Sequence, residues 1–263
     1  MTEWKEYISD SKQRWEKNAE FWDSYMGDES NDFHREIIKP DTERLLDIKN
    51  GDIVLDIACG NGNFSQRLAE LGAEVVAFDY SSKMIKQAKK RCSDWEEKIQ
   101  FLELNASDYE SLISLGKGKF DKAVANMAIM DIAVIDPLIS GVFELLKNGG
   151  IFVFSIMHPC FQSPEMKKVY EEQVEENQII SKSSIQIYRY IKPETFKGVG
   201  IKNQPVASRY FHRSLSDLLK ICFDKGFVLN GIAEPVFNKG KYKKSKFEWI
   251  DIPPAVIFRL KKM

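Results

Sequence analysis

Two glycines and an aspartate, placed one strand–helix–strand unit apart, are the residues of this chain best suited to hold a ligand. Gly60 and Gly62 follow a hydrophobic run that ends at Ile57, and Asp79 ends the next such run. Glycines let the backbone approach a ligand closely, and a carboxylate accepts hydrogen bonds from both hydroxyls of a ribose. The spacing therefore predicts a site for a nucleotide-like cofactor. The alternative is a tight packing turn with an exposed aspartate.

The sequence lacks the usual glycine motifs for ligands with phosphate groups. A dinucleotide fingerprint would place a third glycine where Ser65 stands, and no G-x-x-x-x-G-K-[ST] segment occurs. These absences disfavour NAD, FAD and a P-loop nucleotide. They favour a ligand that contains adenosine and ribose but little or no phosphate.

The elements that must position these residues follow from hydrophobic patterns. Strand-like runs alternate with helical patterns from residue 52 onward, and the alternation predicts right-handed crossovers and a doubly wound, mostly parallel α/β sheet. We predict strands at 52–57, 74–79, 99–103, 121–126, 150–156, 227–233 and 255–260, and helices near 63–71, 81–93, 108–114, 134–147 and 214–225. Because parallel strands end at one edge, the glycines and the aspartate should meet there.

The remaining segments predict a three-part organisation. Residues 1–40 are rich in aromatic and charged side chains and predict a helical N-terminal cap or lid that closes at Pro40. Residues 41–263 form the α/β domain, in which 159–212 is an insertion after the fifth strand. We expect a charged helix near 165–177 and an edge strand within 184–190. A lysine-rich loop, 239–246, separates the last two strands.

Bulk composition restricts the class of protein. The chain has 263 residues, 43% of them hydrophobic, which is ample for a buried core. Its 38 basic and 39 acidic residues give a formal charge of −1 and no general attraction for nucleic acid or an anionic membrane. The four cysteines form no C-x-x-C pair, and no signal-like or membrane-spanning run appears. We expect a cytoplasmic protein, a monomer or homodimer, with no bound metal.

Five ordered segments give the chain its resemblance to the class I S-adenosylmethionine-dependent methyltransferases. The segments, which span roughly 105 residues, are VLDIACGNGNF from Val54, FDYS with Met84, Leu104 to Ala106, FDKAVANMA from Phe120, and Leu145 to Ile156. The resemblance implies a Rossmann-like, seven-stranded sheet whose last strand is antiparallel. It also implies S-adenosyl-L-methionine as cofactor and S-adenosyl-L-homocysteine as product. Ala58 and Asn105 depart from the glycine and aspartate that many members have.

The resemblance also implies a role for each residue of the motifs. Asp56 and the backbone of the glycine turn would hold the methionine end, and Asp79 the ribose. Tyr80, Met84, Asn105 and Ala106 would contact the adenine, while Asn126 and Met127 would lie beneath the sulfonium. The turn residues are Ala58, Cys59, Gly60, Asn61 and Gly62. Core packing is the alternative explanation for Met84 and Met127.

The acceptor of the methyl group is harder to read from the sequence. His158, just beyond a central strand, and His212 are candidates for a general base, with a structural hydrogen bond as the alternative for each. Cap residues that could close over the cofactor are Trp15, Tyr25, Phe33 and His34. The [ND]-P-P-[YF] element of base methyltransferases is absent, since Asn126-Met127-Ala128-Ile129 takes its place.

The favoured hypothesis is therefore a methyltransferase that acts on an oxygen, nitrogen or carbon of a small molecule, mainly by orienting the reactants. Alternatives are a nucleic-acid or protein methyltransferase of the same fold, a NAD-dependent oxidoreductase, and a binding module without catalysis.

Overall fold

The computed structural model describes residues 4–176, 178–238 and 247–263. Its strands are β1 Ile53–Ile57, β2 Glu74–Asp79, β3 Ile99–Glu103, β4 Phe120–Asn126, β5 Leu146–Met157, β6 Lys167–Glu175, β7 Gln178–Gln186, β8 Glu194–Gly198, β9 Ser208–His212, β10 Phe227–Ala233 and β11 Ala255–Lys262. Its helices are α1 Ile8–Met26, α2 Lys39–Leu46, α3 Asn63–Glu70, α4 Ser82–Arg91, α5 Tyr109–Ile113, α6 Asp136–Leu145 and α7 Leu215–Asp224. No helix within these described ranges combines the length and the apolar character of a membrane span.

Seven strands form one sheet in the order β10-β11-β5-β4-β1-β2-β3. Six of them point the same way, and β11 is antiparallel to both of its neighbours. This arrangement confirms the predicted fold class. The strand order reverses direction at β1, which pairs with β2 on one side and β4 on the other. Ligands of such sheets bind where the order reverses, at the carboxyl ends of the strands.

Both faces of the sheet are covered by helices, which explains why its strands are continuous hydrophobic runs. Successive side chains of β1 point to opposite faces. Leu55 and Ile57 belong to the cluster that includes residues of α5, α6 and α7. Val54 belongs to a second cluster with residues of α2, α3 and α4. The sheet edge that carries the glycine turn is therefore fixed from two sides.

The insertion differs from its prediction in one element. The helix expected near 165–177 is wrong, because this segment forms β6 and pairs antiparallel with β7 over its whole length. Val169, Tyr170 and Val174 favour extended structure, and Val174 lies opposite Ile179 across the hairpin. The edge strand expected at 184–190 ends at Gln186. The lysine-rich loop 239–246 lies outside the described residues.

The segment around Pro40 is helical and does not close there. A π-helical turn, His34–Ile38, leads directly into α2, whose first turn contains the proline. Pro40 is tolerated at this position because the first turn needs no backbone donor. Ile37 and Ile38 are buried in a cluster with Phe237 and Trp249. The end of the cap is thus packed against the loop before β11.

Helix α1 is tied to the rest of the chain on both of its sides. The Glu16 carboxylate accepts from the Ser82 backbone N–H at 2.7 Å. On the other side, the fully buried Asn18 donates from Nδ2 to the Val206 carbonyl at 2.9 Å and accepts at Oδ1 from the Val206 N–H at 3.1 Å. One helix therefore joins the start of α4 to the strand pair β8 and β9.

Asn18→Ala tests this attachment. The change leaves the N–H and the carbonyl of Val206 without their partner, so we expect a loss of about 1–3 kcal/mol in the free energy of unfolding. Hydrogen exchange should accelerate in α1 and in 206–212 before it does in the central sheet. Lys17→Ala, one residue earlier and exposed, is the matched control. Equal protection of α1 in both variants would contradict this role.

Candidate active site

A cavity of about 1020 Å³ lies at the carboxyl ends of β1, β2 and β4. Helix α1, the segment 28–34, the loops after these strands and the β8 and β9 pair surround it. Sites for drug-sized ligands usually occupy about 300–1,000 Å³. The cavity therefore has room for a nucleoside cofactor and a second small molecule. We call the part around Gly60, Asp79 and Met84 the cofactor half, and the part around Asp131, Phe196, Tyr210 and His212 the acceptor half.

The two glycines of the turn have different surroundings. Gly60 lines the cavity with φ of 56°, and a Cβ added to it would meet nothing within 4 Å. Gly62 has φ of 82°, and its added Cβ would lie 3.0 Å from the Ala88 Cβ. Gly60 thus leaves ligand space open, while Gly62 permits close packing of the turn on α4. Ala58 also has a positive φ, 51°, which explains why glycine suits this position.

The Asp79 carboxylate connects the ends of β1 and β2. Its Oδ2 accepts from the Gly60 N–H at 3.0 Å and its Oδ1 from the Ser81 N–H at 2.8 Å. Each carboxylate oxygen can accept a second hydrogen bond, so one position on each remains for a ribose hydroxyl. Burial raises the pKa of Asp79 to about 6, against the effect of the Ser81 and Gly60 N–H groups.

The predicted adenine contacts also border the cavity. Met84 and Ala106 are buried, and Tyr80 and Asn105 lie beside them. The Lys12 Nζ of α1 lies 4.4 Å from the centre of the Tyr80 ring, so the cap helix covers this end. Asn105 Oδ1 accepts from the Ser107 N–H at 2.9 Å, which fixes the loop after β3.

The predicted methionine end is built around a buried acid. Asp56 accepts from the Ser65 hydroxyl at 2.6 Å, and burial raises its pKa to about 7. Ser65, which stands where a dinucleotide site would have its third glycine, therefore orients this carboxyl group. Asn61 lies beside the same turn and donates to Asp23 of α1 at 3.1 Å. Cys59 lines the cavity as well.

The residues after β4 form the floor of the cavity. Asn126 Oδ1 accepts from the hydroxyls of Thr42 and Ser155 at 3.1 and 3.2 Å. Met127 has a positive φ of 51° and donates its N–H to the Ser155 carbonyl at 3.0 Å. Both residues border the cavity. A left-handed backbone at a residue other than glycine needs such fixed surroundings.

The four predicted cap residues, Trp15, Tyr25, Phe33 and His34, all line the cavity. Trp15 packs against Trp22 with ring centres 5.3 Å apart. His34 Nδ1 lies 3.0 Å from Asn31 Oδ1, and burial lowers the pKa of its imidazole to about 4. His34 is therefore neutral at physiological pH.

The two candidate histidines lie in different environments. His158 accepts at Nδ1 from the Cys160 N–H at 3.2 Å, so its Nε2 carries the proton and donates to Glu234 at 2.7 Å. Burial lowers the pKa of His158, against the opposite influence of Glu234. His212 lines the cavity and donates from Nε2 to the Tyr190 carbonyl at 2.6 Å, which leaves Nδ1 as an acceptor. The structure thus brings His212, and not both histidines, to the cavity wall.

Sequence reasoning missed Asp131 and Arg213. Asp131 ends a 3₁₀ turn, Ile129–Asp131, and lines the cavity. Arg213 is buried, and its Nη2 donates to the carbonyls of Ile132 and Ala133 at 3.0 and 2.8 Å. The signal for Asp131 was visible in the sequence, since it is the one charged residue between Lys122 and Asp136. A lone acid within an apolar run indicates a buried carboxyl group.

The arrangement fits the cofactor expected from the motifs. Gly60 leaves room for a ligand, Asp79 has free acceptor positions at the end of β2, and Met84 and Tyr80 offer apolar surface to a base. Together with the antiparallel last strand, these features define a class I S-adenosylmethionine-dependent methyltransferase. A family model described as a methyltransferase domain matches residues 48–208, and the chain belongs to this family.

Solved structures share the fold. A putative S-adenosylmethionine dependent methyltransferase from Listeria monocytogenes aligns over 85% of this chain and 95% of its own, with a TM-score of 0.66 and 21% identity. An S-adenosylmethionine dependent methyltransferase from Mesorhizobium loti aligns over 84% and 96%, with a TM-score of 0.66 and 22% identity. Together with the family match, this makes the chain an S-adenosylmethionine-dependent methyltransferase rather than a nicotinamide-dependent oxidoreductase.

Sequence relatives differ in what they methylate. A ubiquinone biosynthesis O-methyltransferase from Caulobacter vibrioides is 26% identical over 178 residues, 64% of this chain and 69% of its own. A 23S rRNA (uracil(1939)-C(5))-methyltransferase from Neisseria lactamica is 31% identical over 107 residues, 40% of this chain and 22% of its own. An uncharacterized protein of Haemophilus influenzae matches over 84% of this chain and 85% of its own at 24% identity.

Alanine at the two glycines should separate binding from stability. Gly60→Ala places a methyl group in open ligand space, so we expect at least about tenfold weaker S-adenosylhomocysteine binding and a stability loss of about 1 kcal/mol from its positive φ. Gly62→Ala adds a clash with Ala88 and should cost about 2–4 kcal/mol. Calorimetric titration and urea unfolding measure the two quantities. If the same variant showed the larger loss in both cofactor affinity and stability, the separate roles of Gly60 and Gly62 would be refuted.

Cofactor affinity should depend on pH through Asp79. Both of its oxygens accept strong ribose hydrogen bonds only when the group is ionised. With a pKa of about 6, the affinity for S-adenosylhomocysteine should therefore fall from about pH 8 to about pH 5. Asp79→Asn should weaken binding by about 1.5–3 kcal/mol at pH 8. It should also flatten the pH dependence of the affinity, except for the part that Asp56 contributes. Asp224→Asn, exposed on α7, is the control. Wild-type affinity in Asp79→Asn would exclude Asp79 as the ribose ligand.

Proposed function

We propose that this methyltransferase acts on a small molecule, at an oxygen, nitrogen or carbon atom. The observation that carries the proposal is the cover over the acceptor half. Helix α1 on one side and the β8 and β9 pair on the other cover it, and Asn18 links the two. A site covered from two sides suits a molecule that enters whole, whereas a nucleic acid or a protein needs an open groove for the chain on either side of the target.

Aromatic side chains in the wall support the same conclusion. Trp22, Phe196 and Tyr210 line the cavity, with the rings of Phe196 and Tyr210 5.5 Å apart. Trp249 and Phe33 border it from the other side. Such walls bind flat or apolar bodies and exclude water. The body of the acceptor is therefore proposed to be largely apolar.

The protein's part in the reaction is mainly positioning. The bound cofactor supplies a methyl group on a positively charged sulfur. We propose that Asp56, Asp79 and the Gly60 backbone hold the cofactor, and that the residues after β4 and the walls of the acceptor half align the acceptor with it. Holding two reactants in line and away from water can contribute about 7–11 kcal/mol to the lowering of the barrier.

The roles proposed for the histidines follow from their partners. His158 fixes the loop after β5 to Glu234 and to the Pro254 carbonyl, which accepts its backbone N–H at 3.0 Å. We propose a positioning role for it. His212 keeps an acceptor nitrogen, Nδ1, in a ring that borders the acceptor half, so it remains the histidine proposed to assist with a proton.

Transfer of labelled methyl groups tests the proposed function. Purified protein and labelled S-adenosylmethionine are incubated with three pools: a small-molecule extract, total RNA and total protein. We expect label in the small-molecule pool, and its loss with Gly60→Ala. Label confined to RNA or protein would replace the proposal with a macromolecular acceptor. No label in any pool, despite calorimetric binding of the cofactor, would favour a binding module.

A further inference from the structure

Asp131 differs from Asp56 and Asp79 because its carboxyl group accepts no hydrogen bond from any described residue. Its Oδ1 is buried and has no hydrogen-bond partner within the part of the chain that the structure describes. By contrast, Asp56 accepts from Ser65, and Asp79 accepts from two backbone N–H groups. A buried acceptor without a partner is unfavourable by about 1–3 kcal/mol. A ligand that donates a hydrogen bond to it removes that penalty.

The position of Asp131 is fixed by Arg213. This guanidinium donates to the Ile132 and Ala133 carbonyls, directly after the 3₁₀ turn, and lies over the rings of Trp4 and Phe211 at 5.1 and 5.8 Å. Arg213 thus holds the turn in place, while no cation among the described residues pairs with the Asp131 carboxyl group.

Other polar groups face the same space. Burial raises the pKa of Asp131 well above its usual range, and the charge of Asp79 raises it further. Asp131 in turn contributes to a raised pKa of the Tyr210 hydroxyl, whose main cause is burial. The Trp22 Nε1 is buried without a partner among the described residues and borders the cavity. The His212 ring also lines this half.

We propose that Asp131 binds the nucleophilic O–H or N–H of the acceptor through its carboxyl group, which lines the cavity, and receives its proton at methyl transfer. This inference rests on the proposed function and narrows it, because the acceptor must then carry a protic oxygen or nitrogen on an apolar body. An acceptor with a hydroxyl or amine group supplies the hydrogen-bond donor that the Asp131 carboxyl group lacks.

The proposed step conserves atoms and charge. The acceptor's O–H or N–H bond breaks, and its proton moves to the Asp131 carboxylate. The acceptor's electron pair forms the new bond to the methyl carbon, and the carbon–sulfur bond breaks with its pair on sulfur. One positive charge, on sulfur, and one negative charge, on Asp131, disappear together. Loss of both charges in a dry site avoids leaving an isolated ion behind.

His212 is less suited to this step. Its Nε2 proton is committed to the Tyr190 carbonyl at 2.6 Å. A proton taken up at Nδ1 would leave a cation that only the carbonyl and the surrounding carboxyl groups stabilise. Asp131 becomes neutral when it takes the proton, and a neutral carboxyl group is the form that burial favours.

Binding of simple probes tests the role of Asp131 without methyl transfer. Protein saturated with S-adenosylhomocysteine is titrated with phenol, benzylamine and toluene, and the affinities are measured by NMR. The variants are Asp131→Asn, His212→Asn and the control Asp136→Asn, an exposed aspartate five residues further on. The phenol and benzylamine arms distinguish a hydroxyl from an amine.

We expect the wild type to bind phenol or benzylamine at least about tenfold more tightly than toluene. Asp131→Asn should lose this preference and keep its toluene affinity, while Asp136→Asn should match the wild type. A preference that persists in Asp131→Asn, or one lost only in His212→Asn, would overturn the proposal. Equal binding of all three probes by the wild type would also overturn it.

Folding of Asp131→Asn is checked by thermal unfolding. Because the pKa of Asp131 is raised in the folded protein, its contribution to stability is present below the unfolded-state pKa of about 3.9 and is lost as the pH rises through the folded-state value. The asparagine side chain does not titrate, so the variant lacks this pH dependence of stability. We therefore expect the variant to be at least as stable as the wild type at neutral pH.

A kinetic measurement completes the test once the labelled screen has supplied an acceptor. Asp131→Asn should slow transfer by about 10²–10⁴-fold and remove the rise of rate with pH that an ionising base gives. The two proposals can fail separately. Absence of label in every pool would contradict the proposed function, whereas the probe affinities test the hydrogen bond to Asp131.

Discussion

The cavity depends on carboxyl groups that the fold holds out of water at one edge of a sheet. Asp56 lies near the end of β1, Asp79 ends β2 and Asp131 ends the turn after β4. Burial raises the pKa of each. Isolated buried charges are unfavourable, and their repulsion adds to the penalty. In the proposed function, a cofactor with a positive sulfur and hydroxyl donors would reduce this penalty. We therefore propose that the same buried carboxyl groups contribute to ligand affinity.

Rigid surroundings make this placement possible. The strand order reverses at β1, so its carboxyl end faces the same crevice as that of β4. Ala58 and Met127 follow these neighbouring strands and share φ values of 51°. Both turn the chain sharply away from the sheet, which leaves backbone groups directed at the ligand. Gly62 presses the first of these turns against α4, and Ser155 fixes the second.

Much of this arrangement could be predicted from the sequence, because it is encoded locally. The glycine turn, the acid at Asp79 and the alternation of strands and helices each follow from neighbouring residues. The hairpin of β6 could not, because its charged residues also suit a helix and its partner strand decides the outcome. The role of Asp131 could be inferred only from the three-dimensional structure. It depends on the lack of hydrogen-bond donors to its carboxyl group among the described residues, and the spacing of residues along the chain does not show that.

Helix α1 contacts residues on both halves of the cavity, through Ser82 and Asn61 on one side and Val206 on the other. Cofactor and acceptor therefore lie behind one shared barrier. A displacement of this helix would therefore open both halves together. Exchange of product for fresh cofactor and entry of the next acceptor would then share one opening step.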